Sequence, residues 1–221
     1  MNYHPSAMGG SNRIQAKMMP GGRERDCALT TPHGQIPLRM WGGSGYGSRP
    51  IVLFSGLPNS IGSWGDFPSL LSHATGQVVV ALDWSAIGRT GLPGALSRSQ
   101  NWERRAARQI AVYPGFESFI ACGHGEGAAI AAEAAAWAGP ACLGLITIRG
   151  PSWAPEPLSK FSIDDATPKL RCPILALLGE VGELDPVGHA GLGFAHGTSG
   201  GEMIAAIREF LALRVFPLPI H

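Results

Sequence analysis

Charge is scarce in this chain. Of its 221 residues only 17 are basic and 16 acidic, for a formal net charge of +1 at neutral pH. That balance gives no electrostatic case for binding nucleic acid or an anionic membrane. Residues 98–108 do hold four arginines, but Glu103 sits among them and the segment fits one helix, which reads as a solvated face. Cysteine is equally sparse. Cys27, Cys122, Cys142 and Cys172 stand far apart with no Cys-x-x-Cys pair, and three of them border apolar runs. This usage fits buried free thiols in a reducing cytoplasm rather than disulfides or metal ligands. Neither a metal nor a cofactor is expected. No stretch reaches the ~18 consecutive apolar residues of a membrane span, and the N-terminal region lacks the continuous apolar core of a secretory signal. A cytoplasmic protein is therefore expected. Residues 1–22 are polar, rich in Gly and Met and without periodicity, so a mobile tail is expected there, followed by a single domain over residues 23–221.

What the chain does have is apolar residues, 45% of the total, distributed in short runs. Residues 26–31 and 35–41 flank Pro32-His33-Gly34 and predict an opening hairpin. Residues 50–54 are a short continuous apolar run of the kind a strand buried on both faces requires, and the apolar-rich segments 77–82, 117–122, 143–148 and 173–178 predict further strands. Between them, residues 63–72 place Trp64, Phe67, Leu70 and Leu71 at helical spacing, residues 101–112 are amphipathic, and residues 202–213 predict a closing helix. Strands alternating with helices imply an α/β fold, a mostly parallel sheet with helices on both faces. Ligands of such folds bind beyond the C-terminal ends of the strands.

One of those ends carries the most telling motif. The run Phe119-Ile120-Ala121-Cys122 leads into Gly123-His124-Gly125-Glu126-Gly127, and an alanine-rich helix over residues 128–137 follows. Strand, Gly-x-x-x-Gly turn and helix form the setting of a nucleophile elbow, Gly-x-Ser-x-Gly. The central position is Gly125, which has no side chain with which to attack anything.

Read together, these segments resemble the α/β-hydrolase family over roughly residues 24–216. Phe54-Ser55-Gly56-Leu57-Pro58 resembles the family's His-Gly-x-Pro loop. Residues 83–90, Asp-Trp-Ser-Ala-Ile-Gly-Arg-Thr, resemble its Asp-x-x-Gly-x-Gly-x-Ser loop. Residues 173–178 with Gly179 and Asp185-Pro186 resemble the strand and loop of the catalytic acid, and residues 205–211 resemble the last helix. Three departures stand out. Gly125 replaces the nucleophile, the lid region over residues 150–170 is minimal, and residues 185–201 are so short and Gly-rich that the far edge of the sheet is expected to be trimmed or rebuilt.

The resemblance implies a set of site residues. The backbone N–H groups of Leu57 and Glu126 stand where the family forms its oxyanion hole. His196, in a loop before the last helix, is the candidate base, with His189 as the alternative. Asp185 is the candidate acid, with Glu183 as the alternative. Glu126 is a further carboxylate at the helix N-terminus, where the helix dipole favours it. His124 is expected to serve packing. Cys122 is expected to point away from the nucleophile position. Ser55 replaces the family's loop histidine. Trp84, together with Trp102 and Trp153, is a candidate pocket wall, and Arg149 is placed to clamp a carboxylate or to pair with Asp164 or Asp165.

Three functions remain open at this point. One is binding of a small carbonyl-containing metabolite, with acid/base chemistry (cyclisation, elimination or isomerisation) that needs no acyl-enzyme. Another is a catalytically dead pseudoenzyme or partner module. The last is an ester or thioester hydrolase that uses activated water or whose serine was replaced by Gly125. None involves nucleic acid or a membrane, and all leave open how many copies of the chain assemble.

Overall fold

The computed structural model describes residues 15–18, 24–31, 34–43, 49–55, 61–82, 117–125, 127–149, 170–178, 192–196 and 200–216. Nine strands are described: β1 (Gln15–Met18), β2 (Glu24–Thr31), β3 (Gly34–Trp41), β4 (Ile51–Ser55), β5 (Val79–Leu82), β6 (Phe119–His124), β7 (Cys142–Arg149), β8 (Ile174–Leu178) and β9 (Leu192–His196). They form one sheet in the order β1-β2-β3-β5-β4-β6-β7-β8-β9. The first three strands pair antiparallel, and β3 pairs antiparallel with β5. From β5 across to β9 every pairing is parallel. This is the mixed, mostly parallel sheet that the alternating strands and helices imply.

The central strands are covered on both faces because their alternate residues are all apolar. In β4, Val52 and Phe54 face one side and Ile51 and Leu53 the other. Helix α2 (Gly127–Ala138) lies against the first face. Apart from Gly127 and Ile130, its buried positions are alanine (Ala128, Ala131, Ala132, Ala134 and Ala135), small side chains that allow close approach to the sheet. Helices α1 (Phe67–Thr75) and α3 (Gly200–Phe210) cover the second face through Leu71, Ile207 and Phe210. Leu53, Phe54, Ile120 and Ile146 are wholly excluded from solvent, and each contributes roughly 1.5–3 kcal/mol of burial free energy.

Several expectations need correction. The tail expected over residues 1–22 contains Gln15–Met18, which pairs antiparallel with residues 25–28 of β2. Pairing on an open sheet edge uses backbone groups alone and leaves no hydrophobic pattern to read. The far edge is also not trimmed of its last strand. The Gly-rich segment before α3 contributes β9, whose Gly193 and Ala195 alternate with Leu192 and Phe194 and weaken the apolar signal. The helix expected over residues 63–72 is broken. A 3-10 turn, Ile61–Trp64, ends at Gly65 in a left-handed conformation (φ +52°), and α1 restarts at Phe67 with Pro68 in its first turn. Proline tolerates that position because it has no N–H to satisfy. Leu70, expected on the apolar face, is exposed to solvent. The helix expected over residues 101–112 lies outside the described residues.

Candidate site at the carboxyl edge of the sheet

The strand register brings the C-terminal ends of five parallel strands to one edge. Ser55 of β4 stands opposite His124 of β6, and His124 opposite Ile148 of β7. One residue further, Arg149 stands opposite Leu178 of β8, and Leu178 opposite His196 of β9. Residues far apart in sequence therefore end in one row.

The turn between β6 and α2 is central to that row. Gly123 and Gly127 are glycine for a steric reason. A Cβ on Gly127 would overlap the Phe54 carbonyl oxygen and lie 2.7 Å from its carbon. A Cβ on Gly123 would overlap the Gly127 carbonyl and lie 2.6 Å from the Ala128 Cα. The two glycines let α2 start in direct contact with β4 and β6. Gly125 differs in kind. It adopts a left-handed conformation (φ +58°), and a Cβ built there meets no heavy atom within 4 Å among the described residues. Its N–H donates to the Ile148 carbonyl at 2.9 Å, and its carbonyl accepts from Ala128 N–H at 3.1 Å. The turn is thus tied to β7 on one side and to α2 on the other, with its apex facing space that no described residue fills.

Beside the apex, the His124 ring meets Trp64 edge to face, with centroids 6.0 Å apart at 65°. Trp64 in turn stacks on Phe67 at 5.7 Å. His124 was expected to serve packing, and its ring does pack on Trp64 while part of the residue stays exposed to solvent. Desolvation by the surrounding protein holds its pKa below the ordinary 6.5 and so favours the uncharged ring. The indole Nε1 of Trp64 is buried and has no hydrogen-bond partner among the described residues. Sequence reasoning missed Trp64 as a neighbour of the site. Its helical spacing with Phe67 reads as a core face, and nothing local shows that the chain turns at Gly65 to carry it up to the sheet edge.

The other site residues divide three ways. Ser55 is buried at the end of β4, at the edge where the sequence places it. Arg149 and His196 occupy the ends of β7 and β9. His196 was expected in a loop, and its backbone instead closes the last strand. Leu57, Trp84, Trp102, Glu126, Trp153, Glu183, Asp185 and His189 lie outside the described residues, as do Asp164 and Asp165. Cys122 is fully buried in the core, and burial alone pushes its thiol far above the ordinary range. A thiol held in that state is inert as a nucleophile. Among the described residues no group of three or more His, Cys, Asp or Glu side chains is placed to hold a metal ion, and no helix is long and apolar enough to cross a membrane.

No family model matches the chain, and no curated protein matches it. Solved structures do. The chain superposes on Cfl2 from Burkholderia cenocepacia with a TM-score of 0.60 at 16% identity, over 90% of this chain and 98% of that one. It superposes on a cold-adapted esterase from an Arctic intertidal metagenomic library with a TM-score of 0.59 at 16% identity, over 91% and 97% of the two chains. A protein from Thermoplasma acidophilum described as a predicted CIB-like hydrolase gives 0.58 at 15% identity, over 90% and 98%. At such identities the likeness speaks for the fold alone. Together with the strand order and the parallel pairing from β5 to β9, it identifies the architecture: the chain has an α/β-hydrolase-like fold.

Proposed function

We propose that this protein binds a small carbonyl-containing molecule at the carboxyl edge of its sheet, against the turn through Gly125, and performs no acyl-serine chemistry there. The observation that carries this reading is the contrast among the three turn glycines. Gly123 and Gly127 are required by contact with neighbouring backbone, whereas a Cβ at Gly125 would meet no described heavy atom within 4 Å. In the α/β-hydrolase motif the central residue is the nucleophile. With Gly125 in that place, the space a nucleophile would use is left to a ligand. The amides of Leu57 and Glu126, the donors expected by resemblance, belong to backbone and do not depend on a serine. Donors of this kind are worth ~3 kcal/mol to a developing oxyanion.

His196, at the end of β9, is the proton carrier this reading calls for, with Asp185 as its partner and Glu126 as a second carboxylate. Ser55, Trp84 and Arg149 are the further ligand contacts. Cyclisation, elimination and isomerisation need a polarised carbonyl and a moved proton, and none needs a covalent intermediate.

The test restores the missing group. Wild-type protein incubated with p-nitrophenyl acetate is expected to show no acetyl adduct by intact mass. Gly125→Ser is expected to acquire one, because a serine at the apex would meet the retained base and donors. A folded Gly125→Ser protein with neither adduct nor ester turnover would remove His196 and Asp185 from the proposal and leave a binding module. Acetylated wild-type protein would contradict the reading outright.

A further inference from the structure

At the opposite, N-terminal end of the parallel strands two thiols meet. Cys142 is the first residue of β7, and Cys172 lies just ahead of β8. Their sulfurs are 3.9 Å apart, with the Cys172 thiol donating to Cys142 Sγ. Cys142 is buried and also donates to the Gly144 carbonyl at 3.3 Å, whereas Cys172 is half-buried. Register explains the meeting. Leu145 stands opposite Ile174, and its N–H donates to the Pro173 carbonyl at 3.0 Å. Just ahead of that pair β7 carries an extra residue, since Phe119 pairs with Cys142 but Ile120 with Gly144, and Cys142 and Cys172 pack on the same face of the sheet as Leu145 and Ile174. With the sulfurs already 3.9 Å apart on neighbouring segments, closing them to the ~2.05 Å of a disulfide asks mainly for side-chain rotation.

We propose that Cys142 and Cys172 are a redox-modification site, at which a peroxide converts the two thiols into a disulfide across the N-terminal ends of β7 and β8. The half-buried Cys172 reacts first. Its thiolate attacks the peroxide, an S–O bond forms as the O–O bond breaks, and the departing oxygen takes up a proton as water or alcohol. The Cys142 sulfur then attacks the sulfenic sulfur of Cys172. The S–S bond forms, hydroxide leaves, and it accepts the Cys142 proton as water. Two thiols and one peroxide thus give one disulfide and two hydroxylic products, the peroxide taking up both electrons. The division of roles follows the surroundings. The hydrogen bond the two thiols share holds Cys172 below the ordinary thiol range, while that same bond and burial hold Cys142 above it. Cys27 and Cys122 are each raised by desolvation and stay out of the reaction.

The experiment treats the full chain with hydrogen peroxide in small molar excess, alkylates the remaining thiols under denaturing conditions, and maps non-reduced peptides by mass spectrometry. The expected result is the loss of two hydrogens from the intact mass, a single cross-link joining the Cys142 and Cys172 peptides, and its reversal by dithiothreitol. Cys172→Ser is expected to leave the remaining three thiols unmodified under the same treatment. If that variant does not fold, the wild-type peptide map decides alone. Sulfinic or sulfonic acid at Cys172 with Cys142 still a thiol, a cross-link through Cys27 or Cys122, or four free thiols after treatment would each overturn the proposal.

Discussion

The carbonyl of Phe54 occupies the place where any side chain at position 127 would have to begin. Phe54 ends the buried core of β4 and Gly127 opens α2, so this single contact sets how closely the helix crosses the sheet behind the candidate site. It separates the glycines that build the turn from the one that faces outward.

A difference in stability follows from that contact. Gly127→Ala and Gly123→Ala push a methyl into rigid backbone, and each is expected to cost about 2–4 kcal/mol in urea unfolding. Gly125→Ala meets no described atom, so its cost is expected to be only the left-handed backbone penalty of ~1–2 kcal/mol. Equal losses at all three positions would show that Gly125 is as confined as its neighbours.

The His124 and Trp64 pair gives a pH dependence. Desolvation lowers the folded-state pKa of His124 below 6.5, so the unfolded chain takes up this proton first. Stability then rises with pH between the folded and unfolded values, and is lost as pH falls from about 6.5 toward the folded pKa. Chemical denaturation of wild type and His124→Gln from pH 5 to 8 is expected to show that this component of the slope vanishes in the variant. An NMR titration of wild-type His124 with its midpoint above 6.5 would contradict the account.

Trp64 offers a complementary test. Its indole N–H is buried with no partner among the described residues, a state that costs ~1–3 kcal/mol. Trp64→Phe keeps an aromatic ring and removes the unpaired donor, so a change smaller than ~1 kcal/mol is expected. Trp64→Ala opens the contact, is expected to cost roughly 2–4 kcal/mol, and should move the His124 pKa back up toward its ordinary value. An unmoved His124 titration in the alanine variant would place the source of desolvation elsewhere.

What could be read in the sequence was what repeats or alternates. Runs such as residues 51–54 and 174–178 are apolar throughout because both faces of these strands are covered, and that pattern survives without any knowledge of the partners. Edge strands lack it. β1 holds on through backbone pairing, and β9 carries glycine and alanine at alternate positions, so neither stood out. The turn at Gly125 was legible because its three glycines follow a strand and open a helix. The approach of Trp64 to His124 was not, because it depends on a left-handed Gly65 that redirects the chain between two helical pieces. The row formed by Ser55, His124, Arg149 and His196 is likewise a product of register between strands distant in sequence.

The central claim is that the space before Gly125 receives a ligand. Saturation-transfer NMR of the wild-type protein against a panel of small esters, thioesters, lactones and ketones tests it directly, with Gly125→Asn as the comparison. Asparagine tolerates the left-handed backbone while filling the space with a side chain. The account predicts that at least one carbonyl compound binds wild type and binds Gly125→Asn at least about tenfold more weakly, a difference of ~1.4 kcal/mol. A folded variant that binds the same compounds with undiminished affinity, or a wild type that binds none of them, would contradict it.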